Sequence, residues 1–423
     1  MKSLCFYILN VGVLCCYIYN IKFTFLPLYC RRIFFLLGFL FFIFKGRKND
    51  LGIMGGILKN ISPFLVAILL VGTVHIASGE PFDMYYVQVI VTVITSLFSV
   101  YFVYCMLSQA CLPSNLYKYL ISCTIGAILL NNLCAFTAVV QPSIYDFLQS
   151  IQEVAADQDR LINASGEMHR IMGLGENVFF NGGVISSLGL ILCMYKILHA
   201  ESRVSTGLFF IAYISIVFSG ILIARTTLVG MVLSMFLLFL HVNSQNIVKY
   251  FFVVLFSALI IAALFFAILN LLNPDMAEWA FEFVFNMMDS GSANMESTDQ
   301  LWSMWDVLPT DFMTYLIGDG LLKSPNGSYY KGIDVGYLRL TYYSGLLVML
   351  SLFLMLKRLL KVRLSIGLTS VEKLNFVLFA WLLIMNVKGI CLPVAIIVLF
   401  CYIQLKVSYY EYLSSSEELN TVY

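Results

Sequence analysis

Apolar runs long enough to cross a bilayer follow one another along almost the whole chain of 423 residues. A hydrocarbon core about 30 Å thick needs about 20 residues of helix. Helices are the open-chain structures that satisfy the backbone there. The runs fall near residues 3–20, 23–44, 58–77, 85–107, 119–140, 178–198, 205–223, 226–242, 250–271, 335–356, 374–387 and 390–405. This pattern predicts an all-α polytopic membrane protein with about twelve transmembrane helices, forming one membrane domain over residues 1–423. Arg31 and Arg32 interrupt the second run, Arg225 divides a long one, and Lys388-Gly389 divides the last into two short segments. Lys2 precedes an apolar run, but no small-x-small site follows, which argues against a signal peptide.

Composition narrows the function. The chain is 61% hydrophobic and 12% charged, whereas soluble domains average about 45–50% apolar and about 25% charged. That excludes a soluble enzyme, a disordered chain and a nucleic-acid-binding protein. The net charge of +1 conceals a separation along the chain. Lys45, Arg47, Lys48, Lys118, Lys196, Arg203, Lys249, Lys357, Arg358, Lys361 and Arg363 occupy alternate connections. The positive-inside rule places these in the cytoplasm, with both termini. The other connections include two long segments, 141–177 and 272–334, which hold 16 of the 24 acidic residues and are expected outside the cytoplasm.

None of the eleven cysteines lies in either long loop, so no disulfide framework is expected. The four histidines (His75, His169, His199, His241) do not cluster, and no metal site or cofactor is expected. Asp157-Gln-Asp159 matches a short metal-holding pattern of nucleotide-sugar enzymes, but lies in a loop expected outside the cytoplasm, away from such donors. Nucleotide-binding, hydrolase and zinc-protease motifs are absent. A loop of about 60 residues is too long for a passive connector. Within it, residues 276–289 have apolar positions at helical spacing, which predicts an amphipathic helix on the membrane surface or on the loop's own core.

Arg170, Arg225 and Arg339 are exceptions to the acidic outer face. An ionisable group at membrane depth points to function. Guanidinium is permanently charged and binds phosphate oxygens bidentately, so three of them converging would suit a diphosphate at the membrane surface. A single snorkelling arginine would instead reach lipid headgroups, the reading adopted for Arg31 and Arg32. Asp319, Asp334 and His169 are candidates to accept a proton from, or orient, a substrate hydroxyl. Tyr329, Tyr330, Tyr337, Trp302 and Trp305 suit either sugar stacking or interfacial anchoring.

These residues also sit in motifs. Gly318 to Gly345 reads GDG, a polar stretch, then IDVGYLRLTYYSG. The segment SGILIARTTLVG contains Arg225, and HRIMGLGENVFFNGG contains Arg170. Together with two large outer loops, the larger one late in the chain, they resemble the bacterial O-antigen polymerases and, more loosely, the O-antigen ligases. Ala224 stands where that family often has Ser or Gly, and no proline follows Asn177. Ligases tend to carry a histidine in the late outer loop, and 272–334 has none, which favours a polymerase. The resemblance implies an inner-membrane glycosyltransferase that moves polysaccharide from one undecaprenyl-diphosphate carrier to another lipid-linked oligosaccharide. It also implies a chain-length regulator as partner. The competing readings are a lipid-linked oligosaccharide flippase or other transporter, an O-antigen ligase, and a membrane-embedded acyltransferase.

Overall fold

The computed structural model describes residues 2–46, 48–79, 83–153, 173–175, 179–242, parts of 263–281, and 282–290, 296–325, 327–363 and 367–421. The described residues are almost entirely helical, with two isolated bridges in place of strands. The long helices are α1 (Lys2–Tyr19), α2 (Cys30–Lys45), α3 (Lys48–Ser78), α4 (Tyr85–Leu107) and α5 (Leu116–Val140). A short α6 (Pro142–Ile151) precedes α7 (Phe179–Leu198), α8 (Arg203–Ile223) and α9 (Thr227–His241). The late loop carries α10 (Glu282–Ser290), α11 (Glu296–Met304) and α12 (Phe312–Ile317). The chain then enters α13 (Gly336–Leu359), α14 (Ser370–Met385) and α15 (Val394–Thr421). Among the described residues, seven helices are long and apolar enough to cross a membrane. The chain is an all-α membrane protein.

Long-range contacts sort the connections onto two ends of the bundle. At one end the Thr24 amide donates to Ile151 O (3.0 Å), Asp83 N to Gly320 O (2.9 Å) and Tyr337 N to Asn386 O (3.1 Å). At the other, Lys118 pairs with Glu201 (3.2 Å), Tyr104 meets Tyr410, and Asn49 bonds Tyr409. Small residues set the packing between α7 and α9. A Cβ on Gly230 would lie 2.3 Å from Ser187 Cα, and this close backbone approach supplies the van der Waals contact that drives association in lipid.

Several boundaries differ from the hydropathy reading. The second span begins at Cys30, because residues 20–29 form an irregular segment around Pro27 that bridges Gln152 through Phe23. Arg31 does not snorkel. Its Nε and Nη2 donate to Tyr17 O and Ile18 O (2.7 Å each), neutralising the C-terminal carbonyls of α1. The third span starts ten residues early, at Lys48, because Asp50 finds a buried cation in α15. The last segment is a helix of 28 residues rather than a short piece. Within the amphipathic segment, Glu282–Ser290 forms helix. Trp279 and most of the span expected at 250–271 lie outside the described residues.

Candidate functional site

Breaks between helices gather at the first end, and the breaks carry the charged side chains. Between α8 and α9 the chain leaves helical geometry at Ala224 (φ −163°, ψ 136°), and Arg225 follows. Its Nη1 donates to Glu282 Oε2 at 2.5 Å, in the first turn of α10. A carboxylate in a helix's first turn is favoured by the helix dipole, so Glu282 is well placed to hold the guanidinium. The Arg225 side chain is only 15% exposed. Thr226 Oγ1, next to it, is buried with no hydrogen-bond partner among the described residues.

Arg339 stands in the first turn of α13. Its side chain is 12% exposed, and Nη1 reaches Asp334 Oδ1 at 3.4 Å. The guanidinium lies 4.0 Å from the centre of the Tyr329 ring, a stacking geometry that suits a delocalised cation. Its Nε is buried and has no hydrogen-bond partner among the described residues. A buried donor left unpaired costs about 1–3 kcal/mol, and such a group in a native protein calls for an explanation. Burial pushes the Asp334 carboxyl above its usual range, opposed by Arg339 and then Lys388.

One continuous packing path joins the two arginine segments. Gly183, early in α7, lies against Thr226 and Ala224. Phe180, one turn earlier, covers Gly389 in the break between α14 and α15. The Gly389 and Asn386 carbonyls in turn pack on Gly336, the first residue of α13. Asn386 stabilises that break. Its amide donates to Leu382 O and Cys391 O and accepts from Cys391 N. Beside the path lies a cavity of about 190 Å³, lined by Arg31, Tyr85, Asn181 and the 390–393 turn among others.

The remaining sequence candidates have defined places. Asp319 accepts from Thr314 Oγ1 (2.5 Å) and Tyr330 Oη (3.0 Å), and Lys331 Nζ lies 3.5 Å away. Its carboxylate therefore ties the loop together. The Tyr330 hydroxyl is pushed up to about 12, by burial first and by its bond to Asp319 second. Tyr337 donates its hydroxyl to Leu383 O (2.7 Å), fastening α13 to α14. Trp302 and Tyr329 are exposed, whereas Trp305 and Tyr330 pack with Tyr342 around Ile333 and Val335. Arg170 and His169 lie outside the described residues. Among the described residues no His, Cys, Asp and Glu group could hold a metal ion.

The structure thus joins Arg339 to Asp334, places the stacking candidate Tyr329 against Arg339, and adds Glu282, Lys388 and Thr226, which the sequence reading did not single out as site residues. Lys388 and Arg31 carried a signal, as charges inside apolar runs. Glu282 was one of ten acids in its loop, with nothing local to distinguish it. No protein-family model, no curated protein and no solved structure matches this chain.

Proposed function

We propose that the protein is an O-antigen polymerase, a membrane glycosyltransferase working on undecaprenyl-diphosphate-linked glycans at the periplasmic face of the inner membrane. On this reading the chain crosses about twelve times with both termini in the cytoplasm. The observation that carries the reading is Arg339, a nearly buried guanidinium with an unfilled Nε donor, stacked on Tyr329 and adjoining Asp334 at the mouth of a membrane helix. The acidic loops and the resemblance of the GDG–YLR–SG segment add to it.

The chemistry follows from the compartment. Sugar transfer outside the cytoplasm needs a donor activated beforehand, and a lipid-linked diphosphate is such a leaving group. The acceptor hydroxyl oxygen bonds to the anomeric carbon of the donor glycan as the bond from that carbon to the diphosphate breaks. Arg339 and Arg225 offset the charge that develops on the departing diphosphate. Asp334 takes the hydroxyl proton, a role worth about 10²–10⁴-fold when a base is well placed.

Deleting the gene in the native host and separating the surface lipopolysaccharide tests the reading. A polymerase gives core bearing a single repeat unit. Bare core would instead indicate a ligase or flippase, and a normal ladder of long chains would sink all three.

The raised pKa of Asp334 gives a second test. A base must be deprotonated, so transfer should increase with pH through a midpoint above the ordinary carboxylate range. The Asp334→Asn enzyme should be slower and lack that rising limb. An unchanged profile in the variant would remove Asp334 from the proton transfer.

A further inference from the structure

The opposite end of the bundle holds a second charged cavity, which transfer chemistry at the first end does not use. Asp50, in the first turn of α3, and Lys406, in α15, form an ion pair, and each residue is at most 4% exposed. Tyr402 Oη also donates to Asp50 Oδ1 (3.1 Å). Lys406 Nζ lies 4.8 Å from the centre of the Tyr104 ring, and Tyr104 Oη meets Tyr410 Oη at 3.3 Å. Asp50, Lys406, Tyr104 and Tyr410 border a cavity of about 320 Å³, with Lys45 at the end of α2 and Tyr101 also on its wall.

A buried ion pair is weak evidence for stability, because desolvation offsets most of the attraction. In a membrane bundle it points instead to a function. Two ammonium groups face one carboxylate, so the cavity carries an excess positive charge. An ammonium group has three N–H donors, and Lys406 gives one to Asp50. The space exceeds that of a few waters, whose share of liquid volume is about 30 Å³ each. Tyrosine hydroxyls and lysines at a helix end are the groups that meet phospholipid headgroups, and basic pockets between helices at that depth bind anionic ones.

We propose that this cavity binds a phosphate group, held by Lys45 and Lys406, with Asp50 fixing the Lys406 ammonium and the tyrosine hydroxyls donating to the remaining oxygens. The phosphate can come from an anionic phospholipid of the adjacent leaflet or from the aqueous phase, and the same assay separates the two.

The test is thermal unfolding of the purified full chain in a neutral detergent. Dioleoyl phosphatidylglycerol, dioleoyl phosphatidylcholine and inorganic phosphate are titrated separately. Lys45→Gln removes an exposed charge, and Cys105→Phe fills the cavity from its wall while leaving Asp50 and Lys406 both present. Both avoid the folding risk of a Lys406 variant, which would strand Asp50. A lipid site predicts a saturable rise in midpoint with phosphatidylglycerol, at least tenfold weaker in both variants and absent with phosphatidylcholine. The same pattern with inorganic phosphate alone assigns the site to a soluble phosphate. The proposal is overturned if neither phosphate source shifts the wild-type midpoint, if phosphatidylcholine acts equally, or if both variants titrate like wild type.

Discussion

Arg339→Lys is expected to lower chain extension by at least about a hundredfold while leaving the protein at its normal level in the membrane. Loss of one preorganised donor to a developing oxyanion typically costs about 10²–10³ in rate. Lysine keeps the charge but loses the planar fork, and with it the Nε donor that is unfilled in Arg339 and the flat face against Tyr329. Lipopolysaccharide from a strain carrying the variant should collapse toward one repeat unit. Arg225→Lys should act in the same direction, because the Arg225 guanidinium is nearly buried and set by Glu282. If both variants make full-length chains at normal protein levels, the diphosphate site is wrong. Bare core rather than single-unit core would move the site to a different reaction.

The contrast between the two arginines shows how far a sequence reaches. Arg339 and Asp334 are five residues apart across a helix start, so their meeting follows from local geometry. Arg225 and Glu282 are 57 residues apart, and a late loop must fold back before they touch. The Asp50–Lys406 pair spans 356 residues, so Asp50 resembled a connection residue until α15 was placed beside it. Hydropathy marked the runs in which the long described helices lie, because crossing a bilayer needs about 20 apolar residues. It misplaced the start of the second because the apolar run continues through residues 20–29, which contain Pro27 and are not helical. Asp319 attracted attention as an acid beside glycines, yet its partners Thr314 and Tyr330 lie within eleven residues. That spacing belongs to a loop fastening as readily as to catalysis, and only the hydrogen bonds separate the two.

Gly318, beside that aspartate, meets Gly345, and this pair leads to the second large effect. Gly345→Ala should sharply reduce the amount of folded protein. Gly318 (φ 78°, ψ −179°) and Gly345 (φ 67°, ψ 176°) both lie in a region open essentially to glycine alone. They also interlock. A Cβ on Gly345 would sit 2.2 Å from the Leu316 carbonyl, and one on Gly318 would sit 2.4 Å from Ser344 N. This contact brings Asp319 N onto Tyr342 O (2.5 Å) and Gly320 N onto Tyr343 O (3.2 Å), and so docks α12 and the late loop on the kink of α13. Alanine at 345 therefore adds backbone strain of about 1–3 kcal/mol to a clash with backbone that cannot rotate away. Fluorescence-detected size exclusion of a tagged protein would show a smaller monodisperse peak and a lower melting temperature. Gly56→Ala is the matched control. Gly56 lies within α3, where a Cβ meets nothing within 4 Å, and alanine in a helix interior is favoured by about 0.5–1 kcal/mol. If Gly345→Ala matches wild type in yield and melting temperature, the clasp is not what holds the late loop over the mouth of α13. The geometry of Asp334 and Arg339 would then have to be set by the turn at Ile333 and Val335 alone.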